Sequence, residues 1–156
     1  MSSFNNLAAG LGLGMVALMG AGCGDNQEPE AADAFWTRIQ ASNYPSWSRA
    51  PGYETRLPSS APHGDSVEIY VNPVIQAAIT DAKPLTEWPL GAWVVKNGYD
   101  GDDALFLVAS IEKRDDGWFW AEYDEAGSAT YSGKPDLCID CHSAGSDFMR
   151  AFVLPQ

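Results

Sequence analysis

The run Cys138-Ile139-Asp140-Cys141-His142 carries the most specific chemistry in this chain of 156 residues. Cys-x-x-Cys-His is the spacing that attaches a c-type haem. Two thiols one helical turn apart reach the vinyl groups of neighbouring pyrroles, and the adjacent imidazole then faces the iron. One covalent haem c is therefore expected, with Cys138 and Cys141 as thioether positions and His142 as proximal iron ligand. Other readings of these residues compete. A thioredoxin-like Cys-x-x-Cys belongs in an N-terminal βαβ setting, whereas this one follows Gly133, Lys134 and Pro135 near the C-terminus. A structural zinc needs four ligands, and only His63 remains to join the three motif residues. A disulfide between Cys138 and Cys141 is the last alternative.

Only 14 residues follow His142, so the motif closes the chain. Met149, seven residues on, lies on the same short helix or its continuation and does not reach the opposite face of a haem bound there. His63, beside Gly64, reads as a turn or hydrogen-bonding residue, with bis-histidine ligation as the alternative. The expected iron has His142 below and an open or weakly occupied site above.

Elements that could position the motif follow from periodicity. Ser66 to Val71 alternates, with Val67, Ile69 and Val71 on one side and Glu68 and Tyr70 on the other, the mark of a half-buried strand. Asn72-Pro73 then starts a helix, Asn as N-cap and Pro at the first helical position, running to about Ala82. Gly91 to Asn97, Ala104 to Arg114 and Trp118 to Asp124 are rich in β-branched and aromatic residues, and Asp115-Asp116-Gly117 is a hairpin turn signal. Ala31 to Ala41 reads as a short helix with Phe35 and Ile39 on one face. Asn43 to Pro62 is an ordered, proline-interrupted loop carrying aromatic rings. The expected fold class is α+β, mainly β: an antiparallel sheet with short helices and a C-terminal haem-attachment helix.

Residues 1–22 carry no charge and contain the apolar run Leu7 to Met19, too short and too rich in glycine for a spanning helix and suited to a secretory leader. Gly20, Ala21 and Gly22 lead into Cys23, which resembles a bacterial lipoprotein cleavage site with Cys23 as the lipidated residue. Residues 23–32 read as a tether and residues 33–156 as the domain. Periplasmic or cell-envelope placement with a lipid anchor follows, and all three cysteines then have a use. The net charge of −12 argues against nucleic acid or an anionic membrane surface as partner.

Taken together, these elements resemble cytochrome P-460 and the related beta-type cytochromes c-prime, over about Trp36 to Leu154. The resemblance is carried by Tyr44 and Trp47, His63-Gly64, the run Ile69-Tyr70-Val71-Asn72, the strand Gly91 to Lys96, the Trp118 region, and Cys138 to His142 followed by Asp147-Phe148. It implies a mainly β protein, often a homodimer, whose c haem is five-coordinate or readily opened. In hydroxylamine-oxidising members a lysine is also bonded to the porphyrin and an acidic distal residue handles protons. The lysines here are Lys83, Lys96, Lys113 and Lys134. Lys96, in the family-like strand, is the weak candidate for that role, its other reading being a solvated strand-end cation.

Two chemistries follow. Oxidising hydroxylamine requires a base near the iron; Glu68, Glu87, Asp100, Asp102 and Asp103 are the possible carboxylates, with Glu68 the weak catalytic candidate. Without such a base, an open haem walled by aromatic rings binds neutral diatomics such as NO. The expected function is an exported mono-haem cytochrome binding NO or a related small nitrogen-oxide ligand. A lysine-linked hydroxylamine or NO oxidoreductase, and an electron-transfer cytochrome docking to a redox partner protein, are the alternatives.

Overall fold

The computed structural model describes residues 25–81 and 83–156. The expected leader, its expected cleavage site and Cys23 lie outside the described residues. Among the described residues, three α-helices, α1 (Pro29–Ala41), α2 (Pro73–Asp81) and α3 (Asp136–His142), accompany seven strands: β1 (Ser48–Arg49), β2 (Leu57–Pro58), β3 (Ser66–Val71), β4 (Trp93–Tyr99), β5 (Leu105–Arg114), β6 (Gly117–Asp124) and β7 (Ala129–Gly133). All strand pairings between them are antiparallel, in the order β1-β3-β4-β5-β6-β7, with β2 also on β3. The protein is thus α+β and mostly sheet, as its periodicity predicts.

Local chemistry accounts for the central elements. The Asn72 carboxamide oxygen accepts from the Ile75 amide at 3.2 Å, capping α2, and from the Trp93 amide at 3.1 Å, tying that cap to β4. Asp115 and Asp116 link β5 to β6, where Arg114 pairs with Gly117 at a φ of +110°. The structure differs from the sequence reading at the N-terminal side. The first helix begins at Pro29, and the preceding residues, expected as tether, are bonded to the domain: the Gln27 amide donates to the Ser132 carbonyl at 3.2 Å, and Ala32 is fully buried.

Both sheet faces are covered, which explains the continuous apolar runs of β4 and β6. On one face α1 packs Phe35 and Ile39 against Tyr70, Trp93, Val95, Phe119 and Tyr123. On the other, Ile75 of α2 and the C-terminal Met149, Phe152 and Leu154 cover Val67, Ile69, Val94, Ile111, Trp118 and Trp120. Trp88 is buried in that second core, its ring 5.4 Å from Phe152. Deleting a buried indole costs roughly 3–5 kcal/mol. Trp88→Ala should therefore lower the free energy of unfolding, read from the shift in denaturant midpoint, by that amount; a loss below about 1 kcal/mol would contradict this packing.

Candidate functional site

α3 starts after Pro135, whose extended conformation ends the preceding chain; none of its residues is fully buried, and Cys138 and Ile139 pack against the second core. Cys138, Cys141 and His142 stand at i, i+3 and i+4, so they share one side of the helix. All three line one cavity of about 460 Å³ between α3 and the second sheet face, within the roughly 300–1,000 Å³ of cofactor sites.

Strand register builds the opposite wall. Ile69 of β3 pairs with Lys96 of β4, Lys96 with Ala109 of β5, Ala109 with Glu122 of β6, and Glu122 with Tyr131 of β7. This whole row lines the cavity. Val94, Ile111 and Trp120 form a parallel, apolar row beside it. Lys96 and Glu122 therefore flank the small Ala109 with about 10 Å between their strands. His63 enters from the loop before β3. Its imidazole Nδ1 is 2.9 Å from Glu122 Oε2, and both side chains are only about one fifth exposed. Gly98 allows this approach, because a Cβ there would collide with the His63 carbonyl.

The His142 ring lies 4.8 Å from Trp120 and 6.3 Å from His63 between ring centres. Its Nδ1 is 2.9 Å from the Phe148 carbonyl oxygen. A carbonyl only accepts, so Nδ1 carries the proton and Nε2 keeps its lone pair. Burial pushes the His142 pKa below its usual value, against the raising effect of the Phe148 carbonyl and with Lys96 adding to the fall. A lowered pKa favours the neutral imidazole a metal requires. Burial, with Glu122 and Cys141 adding to it, pushes the Cys138 thiol up to about 11. Burial pushes the Lys96 ammonium below its ordinary range, while Glu122 opposes the shift.

The Phe148 carbonyl is held by a strained turn. The Ser146 amide donates to the Met149 carbonyl at 2.9 Å and the Met149 amide to the Ser146 carbonyl at 3.1 Å. Between them Asp147 and Phe148 have φ of +47° and +64°, as in a type I′ turn. Non-glycine residues held there cost on the order of 1–3 kcal/mol each.

These positions bear on the competing readings of the motif. Cys138 and Cys141 are both free. A raised thiol pKa is opposite to what an attacking redox cysteine needs, and the motif follows an antiparallel sheet instead of sitting in a βαβ unit. Among the described residues no group of three or more His, Cys, Asp or Glu side chains is placed to hold a metal ion by itself. The cavity is mostly apolar, brings two thiols and an unengaged imidazole nitrogen to one wall, and so suits a flat apolar macrocycle with a central metal.

Several expectations are corrected. Lys96 is not a solvated strand-end cation; it sits within β4, half-buried in the cavity wall. Glu68 faces the other side of the sheet, because it is one residue from Ile69 and successive strand residues point to opposite faces. There it binds Arg49 at 2.5 Å and accepts from the Tyr70 and Tyr99 hydroxyls. Met149 is not on a continued helix, since α3 ends at His142; it is buried and lines the cavity. Glu122 was not among the expected carboxylates. Its signal is the alternation Trp118, Trp120, Glu122, which puts an acid on the same strand face as two core tryptophans. No protein-family model, curated protein or solved structure matches the chain, so its functional reading rests on the geometry of this cavity.

Proposed function

We propose that this chain is an exported mono-haem c-type cytochrome that binds nitric oxide or a related small nitrogen-oxide ligand, with redox turnover of that ligand. The observation that carries the reading is the convergence of Cys138, Cys141 and His142 on one mostly apolar cavity, with the His142 Nδ1 engaged by the Phe148 carbonyl. In it α3 is the haem-attachment helix: Cys138 and Cys141 are the thioether positions and His142 the axial ligand. A bound haem would supply the one-electron iron couple and a coordination position for a neutral diatomic. Trp120, Val94 and Ile111 exclude water from that space, and the Phe148 carbonyl fixes the imidazole tautomer. The same reading places the protein in the periplasm or cell envelope, anchored through Cys23, as a homodimer served by a redox partner protein.

The visible spectrum of the protein matured in a periplasm tests this. It should show covalent high-spin haem that shifts on adding NO. A six-coordinate low-spin spectrum unmoved by NO would sink the open-site reading and favour His63 as an internal ligand.

A second reading, a hydroxylamine or NO oxidoreductase with a lysine bonded to the porphyrin, is favoured by Lys96, Glu122 and His63 lining the same cavity. Digestion and mass spectrometry separate the two. The oxidoreductase reading expects the Lys96 peptide to travel with haem and the Cys138 peptide, and the linkage to vanish in Lys96→Met. Haem on the Cys138 peptide alone leaves simple ligand binding.

A further inference from the structure

Asp147 has more partners than its place in a surface turn demands. Its carboxylate accepts from the Trp88 backbone amide at 2.8 Å, from the Trp118 indole nitrogen at 3.2 Å, and from Lys113 Nζ at 3.0 Å and 3.2 Å. These donors come from three separate segments: the chain before β4, the end of β5 and the start of β6. The carboxylate and the Lys113 side chain are each only about one tenth exposed. Burial disfavours the Lys113 ammonium, yet Asp147 and Glu87 together hold it above its usual range.

The turn so anchored is the left-handed pair Asp147-Phe148. An isolated chain would relax such a pair, since neither residue is glycine. Around it the backbone has little freedom: a Cβ on Gly145 would meet the Met149 carbonyl at 2.5 Å, and the Leu154 amide donates to Ser146 Oγ at 3.1 Å. This conformation presents the Phe148 carbonyl to His142 Nδ1. A partner on the far nitrogen of a ligating histidine sets its orientation and its basicity.

The geometry points to Asp147 as the positioning residue for the axial ligand, acting through the Phe148 carbonyl on His142. This rests on the haem c reading of the cavity. A firm acceptor on Nδ1 raises electron density at Nε2 and favours the oxidised iron. Loosening the turn should therefore raise the reduction potential without removing the ligand.

The test is Asp147→Asn in the matured holoprotein, with Trp118→Phe as a second variant that removes a single donor and keeps the carboxylate. Haem content is measured first by pyridine haemochrome. Then the reduction potential and the iron–histidine stretching band of the ferrous form are read by spectroelectrochemistry and resonance Raman. Expected are unchanged haem content, an upward shift in potential and a lower stretching frequency, both smaller in Trp118→Phe. Variants that carry full haem with potential and band at the wild-type values overturn the proposal. Should Asp147→Asn fail to fold, the Trp118→Phe result decides alone. A wild-type protein that never acquires haem defeats the underlying reading instead, and so is distinguishable from failure of the Asp147 proposal.

Discussion

Replacing Cys138 and Cys141 together by serine is expected to abolish covalent retention of haem. Wild-type protein matured in a periplasm should keep its colour in acidified acetone, and the double variant should lose all of it to the solvent. The expectation follows from where the thiols sit. They stand three residues apart on one side of α3 and open into one cavity with His142. Without thioether bonds, only coordination by His142 and apolar contact would hold the group, and neither survives acid and organic solvent. Loss of the fold is checked separately: no residue of α3 is fully buried, so far-ultraviolet circular dichroism should keep its β signature. The single variants add a second comparison. Cys138 is partly buried while Cys141 is exposed, so Cys141→Ser should keep the better-enclosed bond. Colour that resists extraction in the double variant would mean attachment elsewhere, and Lys96 is the residue placed for it.

How much of this was readable in advance depends on whether the determining forces are local. β3 has the bounds its alternation predicts, Ser66–Val71, and α2 starts where Asn72-Pro73 places it. Cap, proline and period act within a few residues, as does the Asp115-Asp116-Gly117 hairpin. β7 was not legible. Ala129–Gly133 has no apolar alternation, and it is a strand because β6 offers it partners from Trp120 to Tyr123. The site divides along the same line. Cys138, Cys141 and His142 converge because five consecutive residues form one turn of helix. Lys96 and Glu122 share a wall only through the register of three neighbouring strands, which no single segment encodes. Glu68 shows the sensitivity: a displacement of one residue along β3 puts a side chain on the wrong face of the sheet.

Under the oxidoreductase reading, Glu122→Gln should slow hydroxylamine oxidation by roughly 10²–10⁴-fold, the usual contribution of a positioned proton acceptor, while NO binding stays near the wild-type level. Hydroxylamine surrenders protons together with electrons, so a group beside the reacting nitrogen must take them while a redox partner takes the electrons. Among the described residues that line the cavity, Glu122 is the one carboxylate. Glu68 is spent on Arg49 and two tyrosines on the far face, Glu87 pairs with Lys113, and Asp103 with Arg56. Glu122 lines the cavity and touches His63, whose partly exposed ring can pass a proton outward. Glutamine preserves the volume and an acceptor for His63 but has no carboxylate to protonate, so the substitution separates proton transfer from packing. His63→Gln should slow turnover less, because Glu122 still accepts the proton and only its return to solvent is impeded. Stopped-flow NO binding and steady-state hydroxylamine oxidation measured on the same preparations decide the matter. A parallel fall in both would mark Glu122 as a wall residue only, and undiminished turnover would place the base elsewhere.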